Sequence, residues 1–218
     1  MPENDKRPRI AQRVAQELHD GDVVNLGIGL PSLVANYLPP GVSIVLQSEN
    51  GCLGLGPEVP AELGDKNLVN ASGRTISLKP GGCCFDSVMS FTIIRGGHVD
   101  VTVLGALEVD QYGNLANWMV PGKRIPGMGG AMDLVVGAKR VIVAMEHMNK
   151  DGSPKIVQQC SLPLTAKGEV DLIVTDMAVI EVSPQGLLLL ERAEDVTVEQ
   201  VVAATGAPLI IPSDVPTF

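Results

Sequence analysis

Residues 10–47, IAQRVAQELHDGDVVNLGIGLPSLVANYLPPGVSIVLQ, decide the class of the fold. Ile10, Val14 and Leu18 recur every four residues on a polar background, which places them on one face of a helix. Gly21 follows as a stop signal. Val23-Val24-Asn25-Leu26 is a short apolar run ending in Gly27-Ile28-Gly29 and reads as a strand. Pro31 suits the first turn of a second helix, expected through Leu38, and Pro39-Pro40-Gly41 ends it. Ser43 to Gln47 reads as a second strand running into Ser48-Glu49-Asn50-Gly51. Helix, strand, helix, strand is the rhythm of an α/β domain built on a largely parallel sheet.

The same reading extends outward. Gly54 to Gly64 carries too many glycines and prolines for regular structure and is expected to be a long loop. Short strands are expected at Leu68-Val69 and Thr75–Leu78, and a helix over Asp86–Ile94. Val99 to Leu104 is almost wholly apolar and should be a central strand. Gly113-Asn114 inside residues 108–118 suggests a hairpin. A short helix over Gly130–Val136 and a buried strand over Arg140–Met145 follow. Strands are expected at Val170–Val174, Ala178–Val182 and Leu187–Leu190. Thr197 and Gln200 have the spacing of a capping box for a last helix to Ala204. The excess of strands after residue 99 makes the expected sheet mixed. No linker interrupts the pattern, so residues 1–218 are expected to form one domain, with an extended tail from about residue 207.

Composition narrows the function classes. The chain has 25 acidic against 16 basic residues and a formal net charge of −9. A nucleic-acid partner calls for a cationic footprint that is missing here. No apolar stretch reaches the roughly 20 residues of a membrane span. Met1 to Arg9 resembles neither a signal nor a transit peptide, so a cytoplasmic location is expected. Cys52, Cys83, Cys84 and Cys160, with His19, His98 and His147, show no metal-ligand spacing, and no metal is expected.

Several residues stand out chemically. Glu49 lies just past the end of a sheet strand, where open α/β sheets place their ligands. Asn50-Gly51 forces a tight turn beside it, although a glutamate in such a loop is more often simply solvated. Gly51 to Gly56 runs GxxGxG, the reverse of the dinucleotide fingerprint. Gly27-Ile28-Gly29 is either a plain turn or an anion-facing one. Pro126-Gly127-Met128-Gly129-Gly130 stands before a helix start. It reads equally as a loop needing positive φ or as a set of amides able to hold an oxyanion or phosphate. Lys123 could add one fixed cation, although a lone surface lysine is usually just solvated. His98 and His147 have no nucleophile to serve and read as structural, and Asn117-Trp118 as loop packing.

In order along the chain stand Asn25-Leu26-Gly27-Ile28-Gly29, Gln47-Ser48-Glu49-Asn50-Gly51, Gly54-Leu55-Gly56-Pro57 and Ile94-Arg95-Gly96-Gly97-His98. Leu115-Ala116-Asn117-Trp118-Met119, Pro121-Gly122-Lys123, residues 127–134, Met145-Glu146-His147 and Leu162-Pro163-Leu164-Thr165 continue the series. Together they resemble the β subunit of the 3-oxoacid CoA-transferases, the succinyl-CoA:3-oxoacid type of family I. The resemblance implies a three-layer α/β/α sandwich with a mixed, largely parallel sheet. It implies ping-pong transfer of CoA from succinyl-CoA to a 3-oxoacid such as acetoacetate, the chemistry of ketone body metabolism. Glu49 would be the nucleophile, carrying a glutamyl-CoA thioester between half-reactions, and the Gly130 amide an oxyanion donor. Asn50, Gly51, Gly129 and Lys123 would contact CoA, which enters as substrate, with no other cofactor. A homologous α subunit would complete the site, in a heterotetramer with two copies of each chain. The alternatives are the β subunit of a 3-oxoadipate CoA-transferase and a non-catalytic acyl-CoA-binding relative. Cys83-Cys84 stands where the family tends to have small residues, and residues 58–66 diverge.

Overall fold

The first helix forms as α1 (Arg7–Ala15), with Pro8 in its first turn, where a missing N–H costs nothing. The computed structural model describes residues 5–60, 62–122, 127 and 129–218. After α1 come β1 (Val23–Leu26), a 3₁₀ helix (Pro31–Asn36), β2 (Val45–Ser48), β3 (Cys52–Glu58), β4 (Ile76–Cys84) and α2 (Ser87–Arg95). The middle of the chain contributes β5 (Val101–Leu104), β6 (Glu108–Asp110), β7 (Leu115–Ala116), α3 (Ala131–Gly137), β8 (Arg140–Ala144) and β9 (Ile156–Val157). The last elements are β10 (Leu172–Val174), β11 (Ala178–Ser183), β12 (Gly186–Arg192), α4 (Val198–Ala204) and β13 (Leu209–Ile210).

Ten strands form one sheet in the order β13-β12-β11-β10-β8-β5-β1-β2-β3-β4, and β7-β6-β9 form a small second sheet. β10, β8, β5, β1 and β2 run parallel at the centre. Antiparallel pairings continue the sheet on both sides, β10–β11–β12 on one and β2–β3–β4 on the other. Alternate residues of β8 face opposite cores: Val141 and Val143 pack with α4 and the small sheet, Ile142 and Ala144 with α1 and the 3₁₀ helix. Burial on both faces is why the central strands are near-continuous apolar runs. The result is a three-layer α/β/α arrangement around a mixed, largely parallel sheet.

Four expectations need correcting, the first being Leu68-Val69, where Val69 makes only an isolated bridge to Thr75 and no strand forms. Residues 54–58 are not loop, because β3 runs through them. Gly54 has φ +77, and a Cβ there would stand 2.8 Å from the Gly82 Cα. The glycines let β3 and β4 approach closely at irregular register, so they serve an edge ribbon rather than break it. The second helix is 3₁₀ and stops at Asn36, short of Leu38. α1 ends at Ala15, although Leu18 remains buried in the turn beyond it.

Candidate active site

β2 and β3 pair antiparallel with Ser48 opposite Cys52, so Glu49-Asn50-Gly51 is the three-residue loop of a tight hairpin. Gly51 adopts φ +118, and a Cβ there would fall 2.1 Å from the Phe85 carbonyl oxygen. Only glycine fits. Its N–H donates to the Ser48 carbonyl (3.0 Å), and its own carbonyl accepts from the Phe85 N–H (2.9 Å). These bonds fix Glu49 at the carboxyl edge of the parallel strands, half-exposed to water.

One side of Glu49 is polar and built from inside the sheet. The β1–β2 register sets Asn25 opposite Gln47, two residues before Glu49. Asn25 Nδ2 donates to Gln47 Oε1 (2.7 Å) and its carbonyl (3.2 Å), and reaches Glu49 Oε2 at 3.3 Å. Gln47 Nε2 in turn donates to Ser90 Oγ on α2 at 3.2 Å. Asn25, Gln47 and Ser90 are all buried, and Asn25 Oδ1 has no hydrogen-bond partner among the described residues. A buried amide at the mouth of a site, held from below, fixes where the carboxylate lies.

The other side is backbone. Gly130 is the N-cap of α3, and a Cβ there would lie 3.0 Å from Glu49 Cγ and 3.2 Å from its Cβ. The first turn of a helix carries N–H groups without intrahelical acceptors. Here that turn begins against a carboxylate.

The other expected site residues are less close. Asn50 turns away, its Nδ2 donating to the Val69 carbonyl (2.8 Å), so its side chain ties the hairpin to the next segment. Gly129 is exposed with φ +52 and open space around it. Lys123 lies outside the described residues. Asn25, Gln47 and Ser90 were not anticipated as site residues. The one local signal for Asn25 and Gln47 is a polar residue inside an apolar strand, as in Val23-Val24-Asn25-Leu26, and Ser90 on α2 has none.

A cleft of about 360 Å³ opens on the same carboxyl edge, at the ends of β1, β5 and β8. Ile28, Gly105 and Ala106 form its apolar floor, and Arg7, Glu146, Lys150 and Lys155 bring charge to it. Burial holds the Lys155 pKa below the usual lysine value. His147 is fully buried, its Nδ1 and Nε2 each 2.9 Å from a hydroxyl, Thr175 and Thr205 respectively. Burial pushes its pKa down to about 4, which suits a structural ring. His98 is exposed at the end of α2. Asn117 and Trp118 pin loops as expected, through Asn117 Nδ2 to the Gly105 carbonyl (3.1 Å) and Trp118 Nε1 to the Leu164 carbonyl (3.3 Å). Among the described residues no helix is long and apolar enough to cross a membrane.

Comparison with known proteins gives a consistent result. The family described as Coenzyme A transferase matches residues 7–204. The chain is 58% identical to the β subunit of acetate CoA-transferase from Haemophilus influenzae, over 94% of this chain and 92% of that one. It is 54% identical to one subunit of the succinyl-CoA:3-ketoacid coenzyme A transferase from Helicobacter pylori, over 92% of this chain and 97% of that one. The fold matches the crystal structure of glutaconate coenzyme A-transferase from Acidaminococcus fermentans with a TM-score of 0.72. That match covers 99% of this chain and 89% of the other at 20% identity.

Proposed function

Because the chain belongs to the coenzyme A transferase family, we propose that it is the Glu49-bearing half of a two-chain enzyme that moves CoA from succinyl-CoA to a 3-oxoacid such as acetoacetate. The observation that carries this reading is the packing of the Gly130 backbone against Glu49, opposite the Asn25 amide.

The chemistry follows from those neighbours. The Glu49 carboxylate attacks the thioester carbonyl of the acyl-CoA. The tetrahedral oxyanion collapses to a mixed anhydride and releases CoA thiolate. Helix-start amides at Gly130 are suited to stabilise that oxyanion, the interaction that usually contributes most to acyl transfer. The thiolate then attacks the glutamyl carbonyl, expelling the first acid and leaving CoA on Glu49 as a thioester. The second acid attacks this thioester, and the steps run in reverse, giving ping-pong kinetics. Every step exchanges an acyl group between carboxylate and thiolate, so no oxidant is needed. Asn25 holds one carboxylate oxygen in place, and the charged cleft on the same carboxyl edge offers cations for an anionic substrate.

The site needs a second surface. Glu49 is half-exposed, and its thioester would be lost to hydrolysis unless water were excluded. The Haemophilus and Helicobacter relatives are each named as one subunit of their enzyme, which supports a separate partner chain as that surface. The Haemophilus relative's name favours a second reading, in which acetate is the accepting acid.

The test is reconstitution with a homologous α-type partner chain, followed by mass spectrometry after exposure to succinyl-CoA. A CoA adduct on the Glu49 peptide, absent in Glu49→Gln, is expected. Full activity in Glu49→Gln would end the proposal. Rates with acetoacetate, 3-oxoadipate and acetate as acceptors then rank the acids.

A further inference from the structure

Cys52 and Cys84 face each other directly across β3 and β4. The Phe85 N–H to Gly51 carbonyl bond (2.9 Å) lies just beyond them, so the pair occupies a non-hydrogen-bonded position. At such positions antiparallel Cα atoms approach to about 4.5 Å, within the roughly 4.4–6.8 Å that disulfides span. The two Sγ atoms are 3.4 Å apart.

The other cysteines are placed differently. Cys83 opposes Leu53 and, one residue along the strand, points to the other face of the ribbon. Cys160 lies far along the chain, its Sγ 3.6 Å from the Asn114 carbonyl. Burial pushes its pKa up to about 12.

The pair itself is asymmetric. Cys84 is exposed and Cys52 is buried. Burial first, and then the Cys84 thiol, push the Cys52 pKa up to about 11. The exposed thiol therefore meets an oxidant first, and the buried one is held protonated beside it.

We propose that Cys84 and Cys52 form a peroxide-driven, reversible disulfide that ties β3 to β4 beside the hairpin carrying Glu49. The Cys84 thiolate attacks a peroxide oxygen and breaks the O–O bond, giving Cys84 sulfenic acid and hydroxide. The Cys52 sulfur then displaces hydroxide from the Cys84 sulfur as its own proton leaves. In sum, two thiols and hydrogen peroxide become one disulfide and two waters, with the thiols losing two electrons to the peroxide. Capture by Cys52 also keeps Cys84 from the irreversible sulfinic stage. This chemistry holds whether or not Glu49 carries CoA.

The test treats the full chain with hydrogen peroxide, blocks remaining thiols, digests without reductant and maps peptides by mass spectrometry. Wild type and Cys83→Ser should both give a Cys52–Cys84 linked peptide that dithiothreitol removes. In Cys52→Ser, Cys84 should appear as sulfinic or sulfonic acid at severalfold higher yield than in wild type. A missing link, a link to Cys83 or between chains, or equal over-oxidation with and without Cys52 would each overturn the proposal. The wild-type map decides alone if Cys52→Ser does not fold.

Discussion

Substituting Gly130 by alanine separates the chemistry proposed at Glu49 from the stability of the fold. The backbone there has φ −86 and ψ 5, which alanine adopts freely. The cost in stability is then that of a poorer N-cap, about 0.5 kcal/mol, and the thermal midpoint should fall by about 2 °C at most. The added methyl would stand 3.0 Å from Glu49 Cγ and 3.2 Å from its Cβ, against a comfortable separation near 3.5 Å or more. The carboxylate must therefore give way by a few tenths of an ångström, away from the start of α3. A 1 Å misplacement at a reacting centre costs about 100-fold. The shift here should cost about tenfold in kcat, or ~1.4 kcal/mol of barrier. Steady-state rates of the reconstituted pair, with thermal melts of both variants, provide the assay. Gly41→Ala is the converse control: φ is +86 and the surroundings are open, so it should lose about 1 kcal/mol of stability and no rate. A Gly130→Ala rate within twofold of wild type, with an unchanged melt, would refute the claim that this backbone sets the position of Glu49.

Other substitutions test the supports of the site and fold. Asn25→Ala strands the buried Gln47 Oε1, which it bonds at 2.7 Å, and should cost about 1–3 kcal/mol in urea unfolding as well as more than tenfold in kcat. His147 gives a pH signature. Its folded pKa of about 4 lies below the roughly 6.5 of an unfolded histidine. Below pH 6.5 the unfolded chain binds a proton that the native state refuses, so stability falls as pH drops and the loss levels off below about 4. At pH 5 the loss should be about 2 kcal/mol relative to pH 7, read from urea midpoints, and His147→Gln should abolish that component. Arg13 is buried and bonds both Glu191 oxygens at 2.7 Å and Glu17 at 2.8 Å. Arg13→Met should cost about 2–3 kcal/mol, and adding Glu191→Leu should recover part of it in a double-mutant cycle.

The fold was legible wherever one strong local signal agreed with the long-range structure. Val101 to Leu104 is buried at every position, and only a central parallel strand gives four consecutive apolar-facing environments that way. Thr197 and Gln200 form the reciprocal capping box their spacing suggests. Local and tertiary signals part company in the β3–β4 ribbon. Gly54, Gly56, Pro80, Gly81 and Gly82 each weaken a strand locally. At a sheet edge, however, Pro80 need not donate to a neighbour, and the paired glycines make room for one another. Nothing within a few residues of Gly54 reveals that Gly82 will be its neighbour. The same holds for β9 and β13, two residues each, whose existence depends on partners far along the chain.

The site divides along the same line. Glu49 draws weak notice from a strand end, a tight turn and a glycine within three residues, and its proposed role from the family resemblance. Asn25 does not, because its contact with Glu49 exists only once β1 and β2 are in register, with Asn25 opposite Gln47. Shifting that register by one residue would turn Asn25 to the other face and leave Glu49 without its amide. The polar chain Asn25–Gln47–Ser90 also links the hairpin to α2, whose Val88 and Met89 are exposed at 75% and 52%. An apolar edge on the helix tied to the Glu49 hairpin is costly for a chain acting alone and useful to one that is capped. On the proposed reading, a partner seated on that edge would bury Val88 and Met89 and dry Glu49 in one step. Forming the interface and enabling the acyl transfer would then be the same event, and an isolated chain should fold without turning over.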